Sequence, residues 1–251
     1  VILTGGDSVS PVEPLRYLCA DRELTERELE EIEEGQWKEG DSLVLEPDIR
    51  TVVYLKVTNY SGLSSYFNSS GLVIEDKGPV ITLSPQGEAW AGSGIYRGNV
   101  ELTAVLKEPE ETGVVSGLKH ASYVLEAERG GKRELLEEGI LLDGSTETGA
   151  AEGPLKSWQD RRLLPADRYD GETLWFTVSA EDLAGNRSEK SICLAIDRTA
   201  PVLQIIYGNE QPKNDRYYDR ERSVLLTIEE VNFSEERVWI SVTNTDRILP
   251  E

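Results

Sequence analysis

Three oxygen-bearing side chains fall where this chain makes tight turns. Asp182 and Asn186 bracket the turn Asp182-Leu-Ala-Gly185-Asn186, and Asp197 follows the next apolar run. Carboxylate and amide oxygens suit a hard cation, and calcium takes six to eight oxygens, including carbonyls that turns expose. Asp182, Asn186 and Asp197 are therefore the candidate metal ligands, with calcium as the ion; no other cofactor is indicated. A purely structural account weighs more: Asp182 bonds its own turn and Asp197 ends a strand. The balance of 47 acidic against 26 basic residues gives a net charge of −21. Such a field repels nucleic acid and anionic lipid, so neither is an expected partner, and no membrane insertion is expected in this stretch.

Catalytic chemistry finds little support. His120 is the single histidine. Alternation puts it on the face opposite Ala121, Tyr123 and Leu125, as a surface or sheet-edge residue rather than a base. One histidine excludes a His-rich metal site. No G-x-S-x-G elbow, P-loop or dinucleotide fingerprint occurs. Carboxylate pairs such as Glu30-Glu31 and Glu110-Glu111 are too common here to mark a glycosidase. No catalytic residue is assigned, and the chain is expected not to be an enzyme. Trp90, Trp175 and Trp239 are candidate stacking faces for a glycan. Trp175 is the ligand-binding candidate because it shares the outer face of its strand with Thr177 and Ser179. The alternative is a sheet-surface aromatic in a cross-strand pair. Sequons at Asn59, Asn68, Asn186 and Asn232 matter only in a host that glycosylates.

The elements that would position these residues are written twice. Residues 48–83 and 170–205 align about 120 residues apart, with Gly62 on Gly185 and, after a one-residue gap, Pro79 on Pro201. Period-two alternation gives each copy a strand. Val53, Leu55 and Val57 face one way in the first, and Phe176, Val178 and Ala180 take the same places in the second. A turn follows, in which glycine supplies positive φ. Then come a second strand, Leu72–Ile74 or Ile192–Ile196, and a proline that cannot donate to a ladder and so marks a boundary. Asp76 is aligned with Asp197. After each proline the chain restarts with Val80–Leu83 and Val100–Val105, or Val202–Ile206 and Val224–Ile228.

Between these parts the copies diverge. Thr25-Glu-Arg-Glu28 is a capping box that predicts a short acidic helix over 25–34. In the second copy Leu118–Ala127 reads as a strand, and a Gly/Ser/Thr-rich segment, Asp143–Gly153, replaces the helix. Trp37 and Trp158 occupy corresponding places and are expected as core plugs. The domains are then 1–78, a unit incomplete at its start; 79–200, a complete one; and 201–251, the opening of a third. Cys19 and Cys193 fall in different units and are expected free, small and buried. With no methionine and strand-like runs near both ends, the chain reads as part of a longer polypeptide.

Ala180-Glu-Asp-Leu-Ala-Gly-Asn186, followed by Ile196-Asp-Arg-Thr-Ala-Pro-Val202, resembles the tandem bacterial Ig-like domains of large surface proteins of Gram-positive bacteria. There a D-x-A-G-N turn joins the last two strands and D-x-T-x-P-V links neighbouring domains. The first copy departs from it at Asn59, Ser61 and Leu63. Lys213-Asn-Asp-Arg-Tyr-Tyr218 leading to Asn232-Phe-Ser234, and Asp21-Arg-Glu-Leu-Thr-Glu26 leading to Trp37, are similar to repeats in the same kind of protein. The resemblance implies an all-β fold of tandem Ig-like β-sandwich domains, with a short helix in the first unit. It implies extracellular, secreted or wall-attached placement and a structural or adhesive role. The partners would be neighbouring Ig-like domains of the same chain and a host or glycan ligand. The alternative is an accessory or carbohydrate-binding region of a secreted carbohydrate-active enzyme.

Overall fold

A computed structural model describes residues 1–89, 92–109, 113–144, 154–208, 221, 223–230, 232–233 and 235–241. The fold is mostly β, with several antiparallel sheets and one short α-helix. In chain order the elements are β1 (Arg16–Ala20), α1 (Glu26–Glu30), β2 (Lys38–Glu39), β3 (Ile49–Thr58), β4 (Ser64–Asn68) and β5 (Leu72–Ile74). They continue with β6 (Val80–Gln86), β7 (Ile95–Tyr96), β8 (Val100–Lys107), β9 (Leu118–Arg129), β10 (Lys132–Asp143) and β11 (Ser157–Leu164). The last are β12 (Glu172–Asp182), β13 (Arg187–Ile196), β14 (Val202–Tyr207) and β15 (Val224–Glu229). Among the described residues no helix is long and apolar enough to cross a membrane.

Three groups of strands form. The first sheet has the order β2-β1-β3-β4, with β5 pairing the start of β3. In the middle region one sheet runs β10-β9-β12-β13-β7 and another runs β11-β8-β6. These two sheets bury a common core, in which Leu102, Ala104 and Leu106 of β8 join Tyr123 and Leu125 of β9, Phe176 and Val178 of β12, and Leu194 of β13. The period-two reading of β9 and β12 holds residue by residue: Ala121, Tyr123, Leu125, Ala127, Phe176, Val178 and Ala180 are all buried. A slip of one residue would have turned every one of them to solvent. The described core residues of this cluster all lie between Ile81 and Ile196, while those of the two smaller clusters lie between Leu3 and Leu72. A separate hairpin, β14–β15, follows.

The repeat extends to hydrogen bonds. In the turn after β3, Gly62 N donates to Asn59 O at 2.9 Å and Asn59 N to Leu63 O at 3.0 Å. After β12, Gly185 N donates to Asp182 O at 3.2 Å and Asp182 N to Asn186 O at 3.1 Å. Both glycines have positive φ, 81° and 91°, the left-handed region that β-carbons disfavour. The neighbouring strand repeats as well. Val12 bridges Asn59 as Leu118 pairs with Asp182, and Tyr17 opposes Leu55 as Tyr123 opposes Val178. Thus β1 is the counterpart of β9, a correspondence that the linear alignment did not contain.

Several expectations change. Alternation along β3 holds, but both faces are covered. Val53 packs with Leu3 and Leu43, while Val52 and Tyr54 pack with Leu29 of α1 and Trp37. Lys56, which alternation puts on the face opposite Val53, Leu55 and Val57, is only 8% exposed. Its ammonium pairs with Glu34 and lies 5.6 Å from the Trp37 ring centroid. The helix is capped by Thr25 and Glu28 as predicted but ends at Glu30, and a 3-10 turn over Glu34–Gln36 completes the stretch. Strands β1, β2, β4, β7, β10 and β11 are additional to those expected from alternation and the repeat. Trp37 is buried, and Trp158 packs half-buried against the large core, both as plugs. The cysteines are free but exposed rather than buried: Cys193 opposes Trp175 on the outer face of β12 and β13, and Cys19, opposite Val53, is left uncovered near the end of β1. Trp90, Lys213–Tyr218 and all but the first two residues of Asp143–Gly153 lie outside the described residues.

Candidate metal centre

The turn after β12 builds the centre. Asn186 N donates to Asp182 Oδ1 at 2.8 Å, and Asn186 Nδ2 donates to Asp182 Oδ2 at 2.9 Å. These bonds tie down a carboxylate that is completely buried. Asn186 Nδ2 also donates to the carbonyl of Glu75 at 3.1 Å, which draws the segment after β5 against the turn. Farther along that segment the approach is closer still. A β-carbon on Gly78 would stand 2.7 Å from Ser188 Oγ and 2.9 Å from Arg187 O, so only glycine fits without displacement.

This approach delivers Glu75 to Asp182, and Glu108, which follows β8, completes a cluster. One carboxylate oxygen from each of the three lies within 4.8 Å of the other two. Glu75 is 7% exposed, Glu108 2% and Asp182 0%. Ser116 N donates to Glu75 Oε2 at 2.7 Å, and Ser116 Oγ accepts from Ala184 N at 3.2 Å. Loop residue Ser116 thereby links the segment to the turn. Glu75 Oε1 and both oxygens of Glu108 are buried without a hydrogen-bond partner.

Three buried carboxylates, two of them with unpartnered oxygens, are costly. An isolated carboxylate removed from water loses several kcal/mol, and such a group either takes up a proton or meets a cation. Glu108 shows the strain: burial, and then the negative charges of Glu75 and Asp182, push its carboxyl up to about 7. No positive group is among those that shift it. An all-carboxylate set, without His or Cys, is suited to a hard ion rather than zinc. Burial also withholds these acids from a polymer substrate, so they are poorly placed as a glycosidase pair.

Of the predicted ligands, Asp182 is in the cluster. Asn186 serves it as a donor. Asp197 is elsewhere: it follows the far end of β13, about 30 Å away at the usual rise of a strand. Its Oδ1 accepts from Thr199 N at 3.0 Å and its Oδ2 from Asn232 Nδ2 at 2.8 Å. Asp182 and Asp197 therefore cannot share an ion. Glu75 and Glu108 were missed, although the repeat held a signal for the first. Ile49 pairs with Ile74 as Glu172 pairs with Ile196, so Glu75, and not Asp76, stands where Asp197 does. Asp76 is exposed.

The aromatic candidates are also placed. Trp175 Nε1 donates to Glu128 at 2.9 Å, and the Arg133 guanidinium covers the ring 3.7 Å from its centroid. That face is already stacked. Trp239 is 90% exposed. His120 sits on β9 between β10 and β12, half-buried within the sheet rather than at an edge.

No protein-family model matches the chain, and no curated protein matches it. Among solved structures it is similar to a DUF4466 family protein from Parabacteroides merdae, at 12% identity and a TM-score of 0.28. That similarity covers 51% of this chain and 48% of the other, so the chain spans about half the length of the structure it matches.

Proposed function

We propose that this chain is a non-enzymatic spacer: a run of Ig-like β-sandwich units from a secreted or wall-attached bacterial protein that holds other modules apart or contributes to adhesion. The observation that carries this reading is the repeated hairpin, in which β3 with its turn and β12 with its turn share one register, one glycine conformation and the same backbone hydrogen bonds. Each copy ends at a short proline-containing junction, Pro79 or Pro201, and a new strand starts at once. Short junctions limit how far neighbours can pivot, which suits a stalk. The placement of Arg133 over Trp175 favours this reading over a glycan-stacking face there.

Small-angle X-ray scattering of the full chain tests it. A compact chain of this length has a radius of gyration of about 18 Å. A row of units is expected to exceed that clearly and to give a skewed, elongated distance distribution. A value at the compact limit would sink the spacer reading. The coding sequence around this stretch supplies the second check: further repeats and a wall-sorting tail are expected, whereas an adjoining glycosidase domain would favour an accessory role.

A further inference from the structure

We propose that Glu75, Glu108 and Asp182 bind one calcium ion, which ties the segment leaving β5 to the ends of β8 and β12. The inference stands apart from the spacer reading, since it rests on the pocket alone. Its basis is a side chain, Glu108, that is 2% exposed, has neither oxygen partnered, and is directed at two further buried carboxylates.

Geometry agrees with the size of the ion. Calcium–oxygen distances of 2.3–2.6 Å place ligand oxygens no more than about 5 Å apart. The three carboxylate oxygens, within 4.8 Å of one another, fit that sphere. Glu75 Oε1 and the two Glu108 oxygens are unpartnered, and each Asp182 oxygen, having accepted one bond from Asn186, keeps a second lone pair. Water and main-chain carbonyls would complete the shell. The charge also matches: a divalent ion offsets most of the charge of three buried carboxylates.

The repeat contains a control. Val80 opposes Lys107 as Val202 opposes Glu229. The same shift carries Glu75 onto Asp197 and Glu108 onto Glu230. At this second junction the acids are already satisfied. Asn232 Nδ2 donates to Asp197 Oδ2 at 2.8 Å, and Asn232 N donates to Glu230 Oε1 at 3.1 Å. One ion per chain is therefore expected, at the first junction.

Isothermal titration calorimetry with calcium chloride tests this on the full chain after chelation and removal of the chelator. A single site is expected. Glu108→Gln and Glu75→Gln should each weaken it at least about tenfold. Asp76→Asn, one residue from Glu75 but exposed, should leave it unchanged. Melting curves without calcium establish that each variant is folded, and only the parent and Asp76→Asn should gain a large upward shift when calcium is added. Absence of heat and of a melting shift up to about 5 mM calcium, above the weak end of about 1 mM for extracellular modules, would overturn the proposal. So would unaltered affinity in both glutamine variants, or an equal loss in Asp76→Asn.

Discussion

Glu108→Gln should stabilise the protein when calcium is withheld, and only at high pH. The folded state raises the Glu108 carboxyl from an ordinary 4.5 to about 7. Between those values the folded chain holds a proton that the unfolded chain has released. Stability therefore falls as pH rises through that window, and the loss is complete above about 7. At about 1.4 kcal/mol per pH unit, the loss is about 3 kcal/mol. Glutamine has nearly the same shape but no charge to lose, and its amide can donate to Glu75 or Asp182. In chelator at pH 8 the variant should be more stable than the parent by up to about 3 kcal/mol. At pH 4.5 the two should be nearly equal, because Glu108 is then protonated in the folded parent. Saturating calcium should reverse the order at pH 8, since only the parent binds it well. Hydrogen exchange, corrected for intrinsic rate and read on peptides from β8 and β12, isolates the middle region from its neighbours. Equal protection of parent and variant at pH 8, or a difference that is the same at both pH values, would refute the reasoning.

Phe176→Ala should cost about 3–5 kcal/mol, read in the same peptides, because Phe176 is 2% exposed and its ring stacks 5.6 Å from that of Tyr123; a loss below about 1 kcal/mol would mean that the core rearranges around it. Thr25→Ala should remove the cap of α1 at a cost of about 1 kcal/mol, measured by urea unfolding of residues 1–78 within the full chain. The Glu28 carboxyl is held down at about 2, first by Arg22 and then by Thr25, so its contribution is present above the ordinary 4.5 and fades as pH drops toward 2; Thr25→Ala keeps the backbone bond but removes the hydroxyl, so the total loss should be smaller and complete at a higher pH. Ellman's reagent should titrate two thiols in the folded, unreduced protein, because Cys19 and Cys193 are both free and exposed; fewer than two would indicate a bridge.

Local patterns were legible in the sequence because their causes span a few residues. Alternation over Ala121–Ala127 and Phe176–Ala180 fixed which side chains enter the core. Gly62 and Gly185 marked the turns because only glycine takes their positive φ without penalty. Thr25 and Glu28 marked a helix start three residues long in its signal and local in its hydrogen bonds. Asp182 could be seen as a turn residue for the same reason. What a strand's second face meets is not local. Lys56 reads as solvent-facing until Trp37 and Glu34, brought in by the segment after α1, close over it. Cys19 and Cys193 read as core residues, yet neither is covered in the fold. The carboxylate cluster lies farthest from the linear pattern. Glu75 follows a strand of one sheet, Glu108 follows a strand of a second and Asp182 ends a strand of a third. Nothing within a few residues of any of them specifies the other two. Their meeting is decided by which end of the middle sheets receives the incoming segment, and by the close approach that Gly78 permits. The sequence by itself determined the repeated turns and the core faces of β9 and β12; the tertiary structure alone decided which acids are buried together, because packing between sheets sets distances that periodicity along a strand cannot.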